Sequence, residues 1–253
     1  WRALTEDVEP DAGAGVYSSL LFGAGLRVQY RVTLHASASG ERPVLENLTL
    51  VCIDSRPGPT ASALRAEAIR TAAEGMPPVI SRAAWGANEA LMTAPPEYQP
   101  VEAVIVHHTV TDQGGVDPAV VVRAVYYYHA VTRQWGDIGY NYLVDVYGNV
   151  YEGRYGGSGV VGFHAAQYNW GSLGVSLIGD FSATDVPAAM RNSFTSLLAA
   201  KCAEWRIDPL GQHYFINVTV PNIMGHRDVG STACPGARAY ALLPQIRSET
   251  SQK

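Results

Sequence analysis

Charged residues, and lysine in particular, are scarce in this sequence. Of its 253 residues 16% are charged, two are lysine, and the formal net charge is −5. A negative chain this poor in lysine lacks the basic surface by which proteins bind nucleic acids or anionic membranes, so no nucleic-acid partner is predicted. The sequence also lacks an uninterrupted apolar run of the roughly 18 residues that a membrane-spanning helix needs, so no membrane span is predicted.

Cysteine is scarce as well. Three cysteines in a chain of 253 residues exclude a disulfide-rich scaffold, because a chain of this length buries a core without such bridges. The odd number leaves at least one thiol free, bound to a metal or paired with another chain. The hydrophobic content of 47% excludes a disordered chain. The sequence starts at Trp1 without a signal peptide, which leaves export open.

The composition changes near residue 55. Before it, the segments Leu26–Leu34 and Asn47–Ile53 alternate apolar and polar residues, which is the pattern of half-buried strands. A stretch rich in proline and glycine and an alanine-rich helical stretch follow. We therefore predict three regions: a β-rich N-terminal segment (1–55), a linker with a helix (56–77) and a main domain (78–253).

In the main domain, strand and helix patterns alternate. Apolar runs or period-two alternation predict strands, and capped amphipathic stretches predict helices. The predicted strands cover 101–109, 140–147, 150–152 and 173–179, and the predicted helices cover 117–132, 188–205 and 237–248. Their order lacks regular βαβ repetition, which indicates the mixed α/β class, with a central mixed β-sheet flanked by helices.

Three polar motifs stand at strand ends and in loops, where proteins usually display catalytic groups. They read His-His-Thr from His107, Gly-His-Arg-Asp around His226 and Thr-Ala-Cys-Pro-Gly around Cys234. Two imidazoles and one thiolate make a three-ligand zinc site whose fourth position is open to water. The spacing by itself favours a plainer interpretation, with structural or surface histidines and a buried thiol.

Five motifs in one order carry a family resemblance. They are Val-Ile-Val-His-His-Thr from Val104, Asp-Ile-Gly-Tyr-Asn-Tyr from Asp137, Gly-Phe-His-Ala from Gly162, Tyr-Asn-Trp-Gly-Ser-Leu-Gly from Tyr168, and Gly-His-Arg-Asp-Val-Gly-Ser-Thr-Ala-Cys-Pro-Gly from Gly225. Together they resemble the peptidoglycan recognition proteins and the type 2 N-acetylmuramoyl-L-alanine amidases, over residues 78–247. The resemblance implies a zinc cleft beside the mixed sheet.

The resemblance also implies a catalytic set. The family's Zn²⁺ ligands fall on His107, His226 and Cys234. Tyr140 matches the active-site tyrosine, whose hydroxyl can donate to a developing oxyanion, and Thr232 stands where it could donate to the same oxygen. Cys234 favours an enzyme, because family members that only bind peptidoglycan commonly have another residue at this position.

A second group of residues is expected to bind the substrate. His164 and Asn169 match positions along the family's substrate groove, and His108 packs or hydrogen-bonds beside the metal. Trp135 precedes the tyrosine motif and is a candidate platform for stacking a sugar. Arg154 either pairs with a carboxylate of the stem peptide or stays solvated at the surface.

Position 176 departs from part of the family. Some cytosolic members carry a glutamate where this chain has Ser176, so no carboxylate general base is expected there. Cys52 and Cys202 are equally compatible with one disulfide bond and with two buried free thiols.

The function implied by the resemblance is a zinc-dependent N-acetylmuramoyl-L-alanine amidase that cleaves the bond between N-acetylmuramic acid and L-alanine. Its partner would be peptidoglycan or a muropeptide, and its location secreted, at the cell wall or periplasmic. Two alternatives stay open: a peptidoglycan-binding module without turnover, and a zinc hydrolase for another acyl amide. The oligomeric state is left open as well.

Overall fold

A six-stranded mixed β-sheet forms the centre of the molecule. The computed structural model describes residues 6–7, 17–18, 20–23, 30–34, 36–71, 77–111 and 115–253. The strands of this sheet are β3 (Val79–Ile80), β4 (Ala103–His108), β5 (Tyr142–Val144), β6 (Val150–Glu152), β7 (Ser172–Leu177) and β10 (Ile223–Gly225). Their order across the sheet is β10-β4-β7-β5-β6-β3. The predicted mixed α/β class is confirmed.

The two long central strands, β4 and β7, run parallel and are buried along their whole length. Buried parallel strands commonly read as continuous apolar runs, because both faces of a parallel sheet are covered, and β4 begins with such a run. The only antiparallel pair of the six-stranded sheet is the hairpin of β5 and β6. Its turn depends on Asp145, whose carboxylate accepts the backbone N–H groups of Tyr147 and Asn149, both at 2.9 Å.

Helices cover both faces of the sheet. They are α1 (Ala61–Thr71), α2 (Arg82–Trp85), α3 (Pro118–Tyr127), α4 (Ala188–Trp205) and α5 (Ala237–Ser251). On one face, α4 and α5 pack against the side chains of Val104, Val106 and Val175. On the opposite face, α1, α2 and α3 pack against Leu143 and Tyr151. None of the helices in the described part of the chain is long and apolar enough to span a membrane.

The second face of the sheet is covered by two separate clusters. The first contains the helices α1 to α3, and the second gathers Ala103, Ile105 and Met224 beneath a hairpin of β8 (Gln212–Phe215) and β9 (Val218–Pro221). Because strand residues alternate between faces, His107 shares this face with Ala103 and Ile105. The alternation of β4 therefore places His107 on the face that carries these two clusters.

The predicted N-terminal strands are wrong wherever they can be checked. Residues 30–34 and 47–53 carry no strand pairing, and residues 24–29 lie outside the described residues. The described N-terminal strands are instead β1 (Glu6–Asp7) and β2 (Tyr17–Ser18), which pair antiparallel. An alternating pattern forms a strand only where another strand supplies hydrogen bonds, so the pattern alone does not predict a strand reliably. The region boundaries 1–55, 56–77 and 78–253 stay predictions.

The three cysteines form no disulfide bond with one another. Cys52 is exposed, whereas Cys202 is buried on α4. Burial raises the pKa of the Cys202 thiol to about 11, so it remains protonated at neutral pH. Neither the predicted disulfide nor the predicted pair of buried thiols describes this arrangement. The third thiol, Cys234, is buried and belongs to the site described next.

Candidate metal centre

His107, His226 and Cys234 converge although up to 127 residues separate them in the chain. His107 stands near the end of β4, and His226 opens the short 3₁₀ helix His226–Asp228 after β10. Since β10 and β4 are parallel neighbours, their carboxyl ends bring the two histidines together. Cys234 reaches the same place from the loop before α5. The potential ligand atoms of the three residues lie within 4.8 Å of one another, and all three residues are buried.

The geometry of this donor set fits a zinc ion. Nδ1 of His107 lies 3.6 Å from Sγ of Cys234, and the ring centroids of His107 and His226 are 4.6 Å apart. Nitrogen and sulfur ligands around a tetrahedral zinc stand about 3.5 Å apart. Two imidazole nitrogens and one sulfur are also the donor types that zinc prefers, and three protein ligands leave a position for water.

Burial keeps the histidines in the neutral form that a metal requires. Desolvation, with help from the neighbouring imidazoles, holds the pKa of His107 well below its usual value of 6.5. Burial likewise lowers the pKa of His226 to about 4, and proximity to His108 adds to this effect. Both rings therefore present a lone pair at neutral pH.

Hydrogen bonds orient the donor groups. Nε2 of His107 lies 3.0 Å from Nδ1 of His164, so this contact fixes the plane of the His107 ring. The backbone N–H of His108 donates to Sγ of Cys234 at 3.4 Å. The backbone N–H of Cys234 in turn donates to Oγ1 of Thr232 at 3.1 Å.

The loop that carries Cys234 is tied back to the 3₁₀ helix. The backbone N–H of Arg227 donates to the carbonyl oxygen of Cys234 at 3.0 Å, and its guanidinium donates to the carbonyl oxygen of Ala233. Asp228 accepts the N–H of Gly225 at 2.8 Å and the hydroxyl of Tyr240 at 2.5 Å. Arg227 and Asp228 thus hold the loop closed, and this closure places Cys234 beside His107.

Small residues on β7 make room for the site. Ser172, Gly174 and Ser176 occupy the face of β7 that His107 shares, because Ser176 is the register partner of His107. A Cβ atom on Gly174 would stand 2.3 Å from the ring of His164. Glycine at this position is therefore required for His164 to lie against His107.

A wall of aromatic rings continues from the metal ligands. Tyr140 stands with its ring centroid 5.3 Å from His107 and 5.3 Å from His129. His129 in turn stacks 4.5 Å from Trp135, and Trp135 lies 5.2 Å from Phe163. Tyr140 and Trp135 are buried, whereas Phe163 is 39% exposed. Phe163 thus presents more of its ring to solvent than Trp135, although the sequence singled out Trp135 for stacking a sugar.

The structure brings most of the predicted residues to one place, but two predicted substrate contacts face elsewhere. Nδ1 of His108 accepts the N–H of Phe181 at 3.2 Å, on the face of β4 opposite to His107. Oδ1 of Asn169 accepts the N–H groups of His164 and Ala165, both at 2.7 Å. Both side chains therefore support the local backbone, and neither placement favours direct substrate contact.

Arg154 and His164 border the site. Arg154 is buried, donates from Nη1 to the carbonyl oxygen of Ile138 at 3.3 Å, and has its pKa lowered by desolvation. The pKa of His164 is lowered to about 3, mainly by burial and further by His226 and Arg154. Nε2 of His164 finds no hydrogen-bond partner among the residues that the structure describes. This nitrogen remains available to a water or a ligand.

His129, which belongs to none of the motifs that the sequence singled out, lies inside the aromatic wall, with its ring against those of Trp135 and Tyr140. It belongs to a turn of π-helix, Tyr128–Thr132, that continues α3. Nδ1 of His129 accepts the N–H of Gly139 at 3.1 Å, so the backbone beside Tyr140 is held by this ring. Turns of π-helix are frequent at functional sites, but the apolar spacing of a sequence does not reveal them.

Known proteins resemble this chain in sequence. The family model described as N-acetylmuramoyl-L-alanine amidase (Amidase_2) matches residues 97–237. Peptidoglycan-recognition protein SC2 of Drosophila melanogaster is 32% identical over 165 residues, which cover 64% of this chain and 82% of that protein. Peptidoglycan recognition protein 1 of Bos taurus is 33% identical over 177 residues, which cover 69% of this chain and 86% of that protein.

A solved structure extends the likeness to three dimensions. Peptidoglycan recognition protein-LE, solved in complex with tracheal cytotoxin, a monomeric diaminopimelic acid-type peptidoglycan, superposes with a TM-score of 0.56 at 31% identity. The match covers 66% of this chain and 92% of that one. The matching family model, the fold and these similarities show that the chain belongs to the N-acetylmuramoyl-L-alanine amidase family, the family it shares with the peptidoglycan-recognition proteins.

Proposed function

We propose that the protein is a zinc-dependent N-acetylmuramoyl-L-alanine amidase, which hydrolyses the amide between N-acetylmuramic acid and L-alanine in peptidoglycan. The observation that carries this proposal is the buried set of His107, His226 and Cys234, with ligand atoms within 4.8 Å of one another. A pure binding module needs no such donor set. Membership of the amidase family supports the reaction, and the complex of a relative with a peptidoglycan fragment supports the substrate class.

The three donors would hold the metal through two nitrogens and one sulfur. A bound zinc ion would supply a water of lowered pKa and polarise the scissile carbonyl. His164 keeps the His107 ring in the orientation that directs Nδ1 to the Cys234 side, across the 3.0 Å contact with Nε2. This support is of the kind that holds a ligand in one tautomer and one plane.

Tyr140 and Thr232 are the proposed donors to the charge that develops on the carbonyl oxygen. The Tyr140 ring stands 5.3 Å from that of His107, so its hydroxyl borders the place where the carbonyl would lie. Oγ1 of Thr232 already accepts the N–H of Cys234, which leaves its own hydroxyl hydrogen for donation. Donors positioned before the reaction stabilise an oxyanion without reorganisation.

His164 and Arg154 are the proposed contacts for polar groups of the substrate. Nε2 of His164 is buried and lacks a partner among the described residues, so a substrate group can take it up. Arg154 places a buried positive charge beside it, suited to a carboxylate of the stem peptide. The exposed ring of Phe163 offers a surface on which a sugar can stack. A substrate of the cell wall implies a secreted, wall-associated or periplasmic location.

Digestion of purified sacculi, followed by mass spectrometry, tests the proposal together with measurement of bound zinc. We expect one zinc per chain and release of stem peptides that begin with L-alanine. The variant Cys234→Ser is expected to lose zinc and turnover while it still binds sacculi. Cys52→Ser, at the exposed thiol, is the matched control and is expected to behave like the parent.

Two results would contradict the proposal in different ways. Binding to sacculi without zinc and without release of stem peptides would identify a recognition module. Bound zinc with hydrolysis of other acyl amides, but not of peptidoglycan, would identify a different hydrolase built on the same metal centre.

A further inference from the structure

Residues near the N-terminus contact side chains that border the aromatic wall of the site. The guanidinium of Arg133 lies 4.6 Å from the ring centroid of Tyr17, and the hydroxyl of Tyr128 donates to the carbonyl oxygen of Ser18 at 3.1 Å. Leu20 and Phe22 pack against the cluster that contains Tyr140. These residues precede the segment 97–237 that matches the amidase family, so nothing in that match accounts for them.

From Tyr17, an unbroken series of ring contacts leads to the metal ligands. Arg133 lies with its guanidinium 4.6 Å from the ring centroid of Trp135 as well as from that of Tyr17. Trp135 stacks 4.5 Å from His129, and His129 lies 5.3 Å from Tyr140. Tyr140 is the ring beside His107. A continuous series of packed side chains therefore connects Tyr17 to the ring of Tyr140.

The position of Arg133 explains why Tyr17 matters. Arg133 is only 4% exposed, and its guanidinium contacts the rings of both Tyr17 and Trp135. A cation over an aromatic face is stabilised most where water is excluded. Without the Tyr17 ring, water would reach the guanidinium, and its contact with the face of Trp135 would weaken.

Movement of Trp135 would displace the tyrosine motif, because hydrogen bonds through His129 connect the two. The N–H of Trp135 donates to the carbonyl oxygen of His129 at 2.9 Å. Nδ1 of His129 accepts the N–H of Gly139, next to Tyr140, at 3.1 Å. Packed groups of this kind have few alternative arrangements, so a shift at one end displaces the other.

We propose that Tyr17 is a positioning residue of the active site: it holds Arg133 against Trp135 and thereby keeps Tyr140 directed at the substrate carbonyl. The catalytic part of this inference rests on the proposed amidase function, whereas the bracing of residues 128–140 does not. The N-terminal segment, through Tyr17, then helps to set the geometry of the active site.

Three variants of the full chain test the inference. Tyr17→Leu removes the ring, Tyr17→Phe keeps it, and Tyr30→Leu makes the same change at a tyrosine of the N-terminal region that is 58% exposed. For each, we would measure kcat and KM on a soluble muropeptide, bound zinc, and hydrogen–deuterium exchange of residues 128–140 by mass spectrometry.

For Tyr17→Leu we expect a kcat lowered roughly fivefold, with KM and zinc content unchanged, because the lost contact acts on the transition state through Tyr140. Exchange in residues 128–140 should rise in this variant, since local opening becomes easier. Tyr17→Phe should keep the kcat of the parent and its exchange in residues 128–140, and Tyr30→Leu should do the same.

The inference is overturned if Tyr17→Leu keeps the parent kcat and exchange, or if Tyr17→Phe is as impaired as Tyr17→Leu. An equal loss in Tyr30→Leu would also overturn it, because the effect would then not depend on the contact with Arg133. If no variant and not even the parent hydrolyses muropeptide, the amidase proposal fails. The exchange measurement still decides, in that case, whether Tyr17 braces residues 128–140.

Discussion

Five buried histidines should make the metal-free protein sensitive to acid. Burial lowers the pKa of His129 and His164 to about 3 and that of His108 and His226 to about 4, and holds that of His107 well below 6.5. In the unfolded chain these side chains regain a pKa of about 6.5. At pH values between the folded-state and unfolded-state pKa, the unfolded chain binds protons that the folded chain does not bind.

The sign and size of the effect follow from this difference. Because each folded-state pKa is depressed, the stability is fully present above pH of about 6.5 and is lost as the pH falls towards 4. Near pH 5.5 each such histidine contributes about 1.2 kcal/mol per pH unit, so five contribute about 6 kcal/mol per unit as an upper limit. Domains are stable by about 5–15 kcal/mol, so this loss is enough to unfold the chain.

Urea denaturation followed by circular dichroism, at several pH values between 7 and 5, measures the slope. The protein is treated with a chelator, and His129→Gln is compared with the parent, because glutamine can still accept the N–H of Gly139. We expect this variant to lower the slope by about 1.2 kcal/mol per pH unit. Saturating zinc should shift acid unfolding to lower pH, since protons and metal compete for the ligands. A free energy of unfolding that stays constant from pH 7 to 5 would refute the reasoning.

Three further predictions concern single side chains. Tyr140→Phe should lower kcat about 100-fold with zinc content unchanged, because it removes one proposed donor to the oxyanion. Single-turnover hydrolysis of a muropeptide checks this prediction. A rate equal to that of the parent would exclude Tyr140 as a donor. Asp117→Ala should cost about 1–2 kcal/mol in urea denaturation, because Asp117 caps α3 at Ala119 N–H and also accepts the N–H of Ala61 at the start of α1. Phe194→Ala should lower the free energy of unfolding by about 3–5 kcal/mol in the same assay, since the Phe194 side chain is fully buried between α4 and the sheet. A much smaller loss of stability would show that the core collapses into the space left by the ring.

Local pattern predicted the regular elements of the main domain closely. The helix predicted at 188–205 is α4, Ala188–Trp205, and the buried run at 101–109 contains β4, Ala103–His108. Asp117 followed by proline marked the start of α3. Such signals lie within a few residues of the element they specify, so they can be recognised without knowledge of the tertiary structure.

The sequence failed where a partner elsewhere in the chain decides the outcome. Asn47–Ile53 has the alternation of a strand, yet no described strand pairs with it, and its residue Val51 is 50% exposed. Trp135 is a candidate stacking platform by its position before the tyrosine motif, but Arg133 and His129 cover its ring. Hydrogen-bond partners and burial depend on how the chain closes, which local spacing does not encode.

By itself, the sequence predicted the strand that carries His107 from its buried apolar run, and the resemblance of its motifs implied His107, His226 and Cys234 as candidate donors. Only the tertiary structure decided that Cys234 reaches His107, through the loop closed by Arg227 and Asp228. Long-range convergence of this kind arises when parallel strands and a folded loop are assembled. The physical reason is that packing and hydrogen bonding are satisfied over the whole chain at once.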